Sequence, residues 1–280
     1  MTTVGHMATE AFWICSTCAV EHAAKVEVCA ICADERQWVP AEGQQWTTLG
    51  ELRAEGYRAE LTELEPDLYG ITSTPDAGIG QETKLLRTTE GNLLWDPIGY
   101  VDTDIVEQVL ALGEVRAIVA SHPHMFGVQV EWSRLCGDVP VLVAEADADW
   151  VARPSEAIEL WSDDIEILPG VQLSQPGGHF PGSAVVHWAA GAGGRGVVLA
   201  GDTIAPNPDR TSMTFMRSFP NRIPMSAAVV RRVADHVGRY DFERLYGNFD
   251  NVIDADARAV MLRSADRYIG WVNGDFDHLT

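Results

Sequence analysis

The 280 residues predict an α/β protein: two layers of β-sheet with helices outside them, preceded by a small four-cysteine metal-binding segment. Three observations predict it. From residue 65 onward, short apolar runs of strand length alternate with stretches of helical periodicity, the rhythm of a layered α/β domain. Hydrophobic residues make up 46% of the chain, enough for a large buried core at this length. Four of the five cysteines fall in two Cys-x-x-Cys pairs before that rhythm begins.

The first element is the cysteine segment, residues 1–45. Cys15-Ser-Thr-Cys18 and Cys29-Ala-Ile-Cys32 are separated by ten residues. Each pair offers two thiolates on one side of a tight turn, and together they complete a tetrahedral sulfur cage. Zinc and iron both suit four thiolates. A closed tetrathiolate has no open position for substrate, so this is the structural site and not the catalytic one. Its spacing is similar to zinc ribbons and rubredoxin-like knuckles; the first implies structural zinc, the second leaves an electron-carrying iron open. Residues 46–64 read as a polar, partly helical connection, and residues 65–280 as the main domain.

Within that domain Leu68–Ile71, Lys84–Arg87 and Asn92–Asp96 read as an opening antiparallel set, with turns at Ala77-Gly78 and Glu90-Gly91. Asp104–Leu112 has helical period, Arg116–Ser121 is a buried strand, Val128–Cys136 a helix and Val141–Ala144 a strand. Glu145–Val151 reads as helical. Ile165–Leu168 and Val171–Ser174 flank a Pro-Gly turn, so they form a hairpin. Ala184–Ala189 and Gly196–Ala200 pair around a glycine-rich loop. Ser226–Val237 is a helix opened by a serine cap, Arg244–Tyr246 a short strand, and Ala255–Val272 the terminal helix. Cys136, alone in its surroundings, reads as a small buried apolar residue.

The net charge of −21 repels phosphate backbones and anionic lipid, so nucleic acid and membrane surfaces are not expected partners and a small-molecule substrate is. Residues 1–12 lack the basic start and apolar run of an export signal, and no apolar stretch approaches the roughly 20 residues that span a bilayer. A cytoplasmic location is expected, where clustered cysteines bind metal rather than form disulfides.

Three short pieces carry chemistry. Ser121-His122-Pro123-His124 follows the apolar run Ala117-Ile118-Val119-Ala120. Gly177-Gly178-His179-Phe180-Pro181-Gly182-Ser183 is a loop, and Leu199-Ala200-Gly201-Asp202-Thr203 ends another apolar run. Each sets an ionisable side chain just past a strand, where sheet ends form clefts. A His-x-His pair at a turn can aim both rings at one point, and Pro123 stiffens the turn. Glycines beside His179 permit close backbone approach. Three imidazoles and a carboxylate suit zinc, and also non-haem iron.

At these residues the chain resembles the metallo-β-lactamase superfamily, over about residues 65–272. His122-x-His124 matches the start of the family's HxHxDH motif, GGHFPGS its "GHTPGS" segment, and LAGDT its "GD" segment. The resemblance implies a metallo-β-lactamase-like αββα sandwich carrying the small N-terminal four-cysteine metal-binding knuckle. It also implies a metal at one rim of the sandwich and hydrolysis by a metal-activated water. Where the motif asks next for Asp and His, this chain has Phe126 and Gly127; where a late histidine is usual, it has Asn248. The second metal's ligands are therefore missing, and one catalytic metal is expected, on His122, His124, His179 and Asp202.

Asp202 and Tyr246 are the expected catalytic side chains, Tyr246 as a donor to a developing oxyanion. The loop after Asp202 supplies candidate pocket residues: Met213, Phe215, Met216 and Phe219 as apolar lining, and Arg217 or Arg210 for a substrate carboxylate. Three functions are open. The first is a mononuclear hydrolase of a small ester, thioester, lactone or amide. The second is a non-haem iron oxidoreductase or oxygenase served by a rubredoxin-like knuckle. The third is a non-catalytic binding protein on a degenerate fold.

Overall fold

The computed structural model describes residues 12–280; His6 and all but the last residue of the segment read as lacking an export signal lie outside the described residues. Two sheets stack face to face with helices on both outer sides, the αββα order expected.

The first sheet has seven strands, in the spatial order Ile158–Trp161, Val141–Ala144, Val115–Val119, Gly91–Trp95, Thr83–Thr88, Leu68–Thr74 and Arg58–Glu65. Its last four run antiparallel as successive hairpins, whereas Gly91–Trp95, Val115–Val119, Val141–Ala144 and Ile158–Trp161 are mutually parallel. The second sheet orders Ile165–Leu168, Val171–Ser174, Val185–Trp188, Val197–Leu199, Arg244–Tyr246 and Val252–Ile253. Only Val197–Leu199 and Arg244–Tyr246 pair in parallel there.

The period-2 rule sorts the apolar runs between layers. Leu86, Leu93, Trp95 and Val119 face the second sheet and meet Val171, Leu173, Val186 and Leu199. Their neighbours Leu85, Leu94 and Ile118 face the opposite way, onto the helices Thr103–Ala111 and Gln129–Leu135. On the far side Val185, Val198 and Leu245 pack under Ala227–Val237 and Ala257–Asn273. Strands buried on both faces cannot alternate with polar residues, so they read as continuous apolar runs.

The cysteine segment contributes Glu21–His22 and Trp13–Cys15 to a three-stranded sheet completed by Trp46–Thr47 of the connecting stretch, plus the short helix Ala30–Ala33. All four of its paired cysteines sit in the same buried cluster as Leu85, Leu94, Ile118 and Trp132. The connecting stretch contains the expected helix, Leu49–Ala54, with Thr48 Oγ1 accepting from the Glu51 amide. It then continues as Arg58–Glu65, an eight-residue edge strand of the first sheet that sequence reasoning takes as polar linker. Its alternation is muted because Ala59, Leu61 and Leu64 are only partly buried and a register shift follows Glu63, with only Glu65 fully buried. Further departures are small. Ile158–Trp161 adds an unexpected parallel strand. The loop after Asp202 contains two short hairpins, Ala205–Pro206 with Met213–Thr214 and Met216–Ser218 with Ile223–Pro224. Glu145–Trp150 is a 3₁₀ turn rather than a full helix.

Candidate metal centre

The strand Val115–Val119 runs parallel between two neighbours and delivers Ser121, His122 and a 3₁₀ turn over Pro123–Met125 to one rim of the sandwich. The loop after Val171–Ser174 brings His179 to the same rim, entering through Gly177 (φ 66°) and Gly178 (φ 105°), left-handed angles that glycine adopts without a Cβ clash. The strand Val197–Leu199 delivers Asp202. Three separate chain segments therefore converge. One ligand atom each from His122, His124, His179 and Asp202 lies within 4.8 Å of all the others.

The ring nitrogens are sorted by their hydrogen bonds. His122 Nδ1 meets Ser121 Oγ at 2.8 Å, which leaves Nε2 facing inward, 3.6 Å from Asp202 Oδ2. His179 Nδ1 donates to the Met216 carbonyl at 2.9 Å, so its Nε2 carries the lone pair, 3.3 Å from His124 Nδ1. His122 Nε2 is buried with no hydrogen-bond partner in the protein. Burial holds the imidazoles neutral: those of His122 and His124 lie well below the usual histidine range and that of His179 at about 4. Inward lone pairs on uncharged rings, beside a carboxylate, are the donor set a divalent cation takes. Asp202 is pushed up to about 7, first by burial and then by the nearby Asp96 carboxylate.

Around this cluster stands a supporting layer. Phe180 packs on all three rings, with centroid distances of 5.6, 4.8 and 5.4 Å to His122, His124 and His179. Asp96 accepts from the Ser121 amide and so fixes the strand end that carries His122. Arg36, from the cysteine segment, donates to the His179 carbonyl at 2.9 Å and lies over Phe180 at 4.0 Å. Sequence reasoning misses Arg36, Asp96 and Phe180 as site residues. Asp96 ends the apolar run Leu93-Leu94-Trp95, the same signal that exposes His122 and Asp202, so it was readable. Arg36 carries no such signal.

The positions of the missing second metal are filled. Phe126 is buried, and Gly127 (φ 50°) approaches so closely that an added Cβ would run into the Pro97 carbonyl oxygen. A histidine there cannot be accommodated without moving backbone. Asn248 is buried at the third position.

Several expected site residues lie elsewhere. Tyr246 is corrected: its hydroxyl donates to Glu65 at 3.2 Å, and burial together with that carboxylate raises the phenol far above its ordinary value, so it is not aimed at the cluster. Met213 and Phe215 are corrected too. Both are fully buried in the cluster under the terminal helix, Phe215 against Tyr268 at 5.8 Å. Arg217 is half-exposed and pairs with Glu35 at 2.6 Å. Phe219 stands 6.1 Å from the His179 ring, and the Met216 carbonyl orients that ring. Arg210 sits in a turn with φ 54° and makes no contact with the cluster among those described. Cys15, Cys18, Cys29 and Cys32 converge as expected: their sulfurs lie within 4.8 Å of one another, Cys15–Cys32 at 3.6 Å and Cys18–Cys29 at 3.8 Å. Cys136 is buried apart from them, and burial pushes its thiol up to about 11.

The profile of the metallo-β-lactamase superfamily matches residues 83–247. The chain belongs to that superfamily. It is 40% identical over 272 residues to the uncharacterized protein YmaE of Bacillus subtilis (strain 168), covering 95% of this chain and 99% of that one. Among solved structures it resembles VMB-1, with TM-score 0.58 and 12% identity over 76% of this chain and 98% of that chain. It also resembles FIM-1 from Pseudomonas aeruginosa in a mono-zinc form, with TM-score 0.54 and 16% identity over 75% and 95%. A third likeness is to the metallo-β-lactamase from Pontibacter korlensis, at TM-score 0.55 and 16% identity over 75% and 99%. Identities this low establish the fold and say nothing of substrate. Superfamily membership with a His/Asp cluster supports a metal-dependent hydrolase, its reaction open. Among the described residues no helix is long and apolar enough to cross a membrane.

Proposed function

We propose that this metallo-β-lactamase-fold protein is a mononuclear metal-dependent hydrolase of a small ester, thioester, lactone or amide. In this reading His122, His124, His179 and Asp202 hold one zinc ion, and Cys15, Cys18, Cys29 and Cys32 hold a second, structural one. The observation that carries it is the meeting of three inward-facing neutral imidazole nitrogens and one carboxylate, beside a second-metal position closed by Phe126 and Gly127. A bound divalent ion supplies Lewis acidity and brings a water's pKa toward about 7.

The chain's own residues set the rest. His179 is held as a single tautomer by the Met216 carbonyl, so no proton needs to move for it to ligate, and Ser121 fixes the ring orientation of His122. Asp202, at 8% exposed against 1–2% for the three histidines, is the least buried of the four ligands. Arg217, half-exposed and close to His179, is the remaining candidate for orienting an anionic group of the substrate. The cytoplasmic location and small-molecule substrate belong to the same reading.

The test combines metal analysis with a panel of ester, thioester, lactone and amide substrates. Two zinc ions per chain are expected, with His124→Ala losing one of them and at least 100-fold of hydrolysis. Iron in either site turns the reading toward redox chemistry. Full metal content in His124→Ala and Asp202→Ala overturns it.

A further inference from the structure

We propose that Arg36, carried by the cysteine knuckle, is a positioning residue for His179, so that occupancy of the knuckle sets how tightly the histidine site holds its metal. The inference rests on the metal reading of both clusters given above.

His179 is gripped at two points. Its carbonyl accepts from Arg36 Nε at 2.9 Å, and its Nδ1 donates to the Met216 carbonyl at 2.9 Å. Both grips lead back to residues 34–37, directly after Cys32 and Ala33. Arg36 itself is buried and braced by Asp34, Nη1 to Oδ1 at 2.7 Å, with its guanidinium over the Phe180 ring. The loop that carries Met216 is tied to the same residues. Ser218 Oγ donates to the Arg36 carbonyl at 3.0 Å, and Asn221 Nδ2 donates to the carbonyls of Glu35 and Gln37 at 2.8 and 2.9 Å. One short stretch thus fixes the backbone and the ring of one metal ligand.

What fixes that stretch is the knuckle. It continues from the helix Ala30–Ala33, which contains Cys32 and is a single turn long. A helix of one turn has no stability of its own. Four sulfurs packed within 4.8 Å can all be thiolates only with a cation between them, and loss of that ion removes the bonds that tie Cys32 to the other three. Loss of the knuckle ion therefore frees residues 34–37, and with them the glycine-entered loop of His179. His122 and Asp202 lack this dependence: they are placed by the ends of the strands Val115–Val119 and Val197–Leu199, inside the sandwich.

Cobalt(II) is the probe, because only the knuckle gives thiolate-to-cobalt charge transfer and the two sites are read separately. In a chelator competition Arg36→Ala should release the histidine-site cobalt at roughly 10- to 100-fold lower chelator, with the charge-transfer band unchanged. Arg36→Lys should recover part of this, since an ammonium can reach the carbonyl but cannot stack on Phe180 as a planar guanidinium does. Asn221→Ala should weaken the site in the same direction. Cys32→Ser should lose the knuckle ion and weaken the histidine site, and adding Arg36→Ala to it should change little more. Wild-type affinity at the histidine site in Arg36→Ala and Asn221→Ala overturns the proposal, as does full additivity in the double variant. A wild-type protein that takes cobalt into the knuckle alone overturns the histidine-site reading itself; the wild-type count tells the two failures apart.

Discussion

At the scale of single residues, the site is defined as much by what fills the second-metal position as by its ligands. Phe126 and Gly127 are not simple losses. Gly127 has φ 50°, and its missing Cβ makes room for the Pro97 carbonyl. Restoring the family pattern with Phe126→Asp and Gly127→His should therefore not create a second site. The double variant should bind no additional metal and should lose about 2 kcal/mol or more of stability in urea. An extra ion at unchanged stability would show that the backbone yields. His179 offers a pH-dependent counterpart. Its ring titrates at about 4, whereas an exposed histidine titrates near 6.5. Between those values the unfolded chain binds more protons than the folded one. This residue's contribution is therefore whole above about pH 6.5 and lost as pH falls toward 4. Asp96 and Asp202, both raised to about 7, act in the opposite sense, so total stability does not isolate the effect. The difference between metal-free wild type and His179→Asn does: the variant should lose less stability than wild type from pH 6.5 to 4. Equal losses would mean that the ring is not held neutral.

At the scale of elements, the edge strand Arg58–Glu65 does more than widen a sheet. Glu65, the one buried residue at its end, reaches across to the second sheet. There its carboxylate accepts from Arg244 Nη1 at 2.6 Å, Tyr246 Oη at 3.2 Å and the Ala192 amide at 3.1 Å. Removing it strands a partly buried guanidinium and two donors. Glu65→Ala should cost about 3 kcal/mol in denaturant unfolding, and a cost near zero would mean the three donors find water. This strand also marks where the sequence stopped being legible. Interior strands such as Val115–Val119 and Val197–Leu199 announce themselves, because burial on both faces forces unbroken apolar runs, and the ligands at their ends inherit that clarity. Arg58–Glu65 is an edge strand whose apolar side chains Ala59, Leu61 and Leu64 are only partly buried, so it carries no unbroken apolar run. Tyr246 failed as a catalytic candidate for a related reason: proximity to Asp202 across paired strands is readable, but which neighbour its hydroxyl meets depends on Glu65, 181 residues away. Arg36 was invisible likewise, since its partner His179 lies 143 residues along the chain.

At the scale of the molecule, composition divides the chain near residue 45, yet the buried cluster does not. Cys15, Cys18, Cys29 and Cys32 share one core with Ile71, Leu85, Ile105, Ile118 and Trp132. A second tie is ionic: Glu21, wholly buried, accepts from Arg153 at 2.6 Å and from the Val130 amide. Burial lifts its carboxyl to about 7 even against that arginine. Groups that share a core unfold together, because opening one exposes the apolar surface of the other. Metal at the knuckle should thus stabilise the whole chain, not a separate lobe. Cys18→Ser, or removal of metal by a strong chelator, should lower the unfolding midpoint while leaving one transition, with tryptophan fluorescence and far-ultraviolet circular dichroism still coincident. Trp132 and Trp95, buried in different layers, should report the same midpoint. A separate early transition, followed by unfolding of the sandwich at its metal-loaded midpoint, would show that the knuckle is an independent unit.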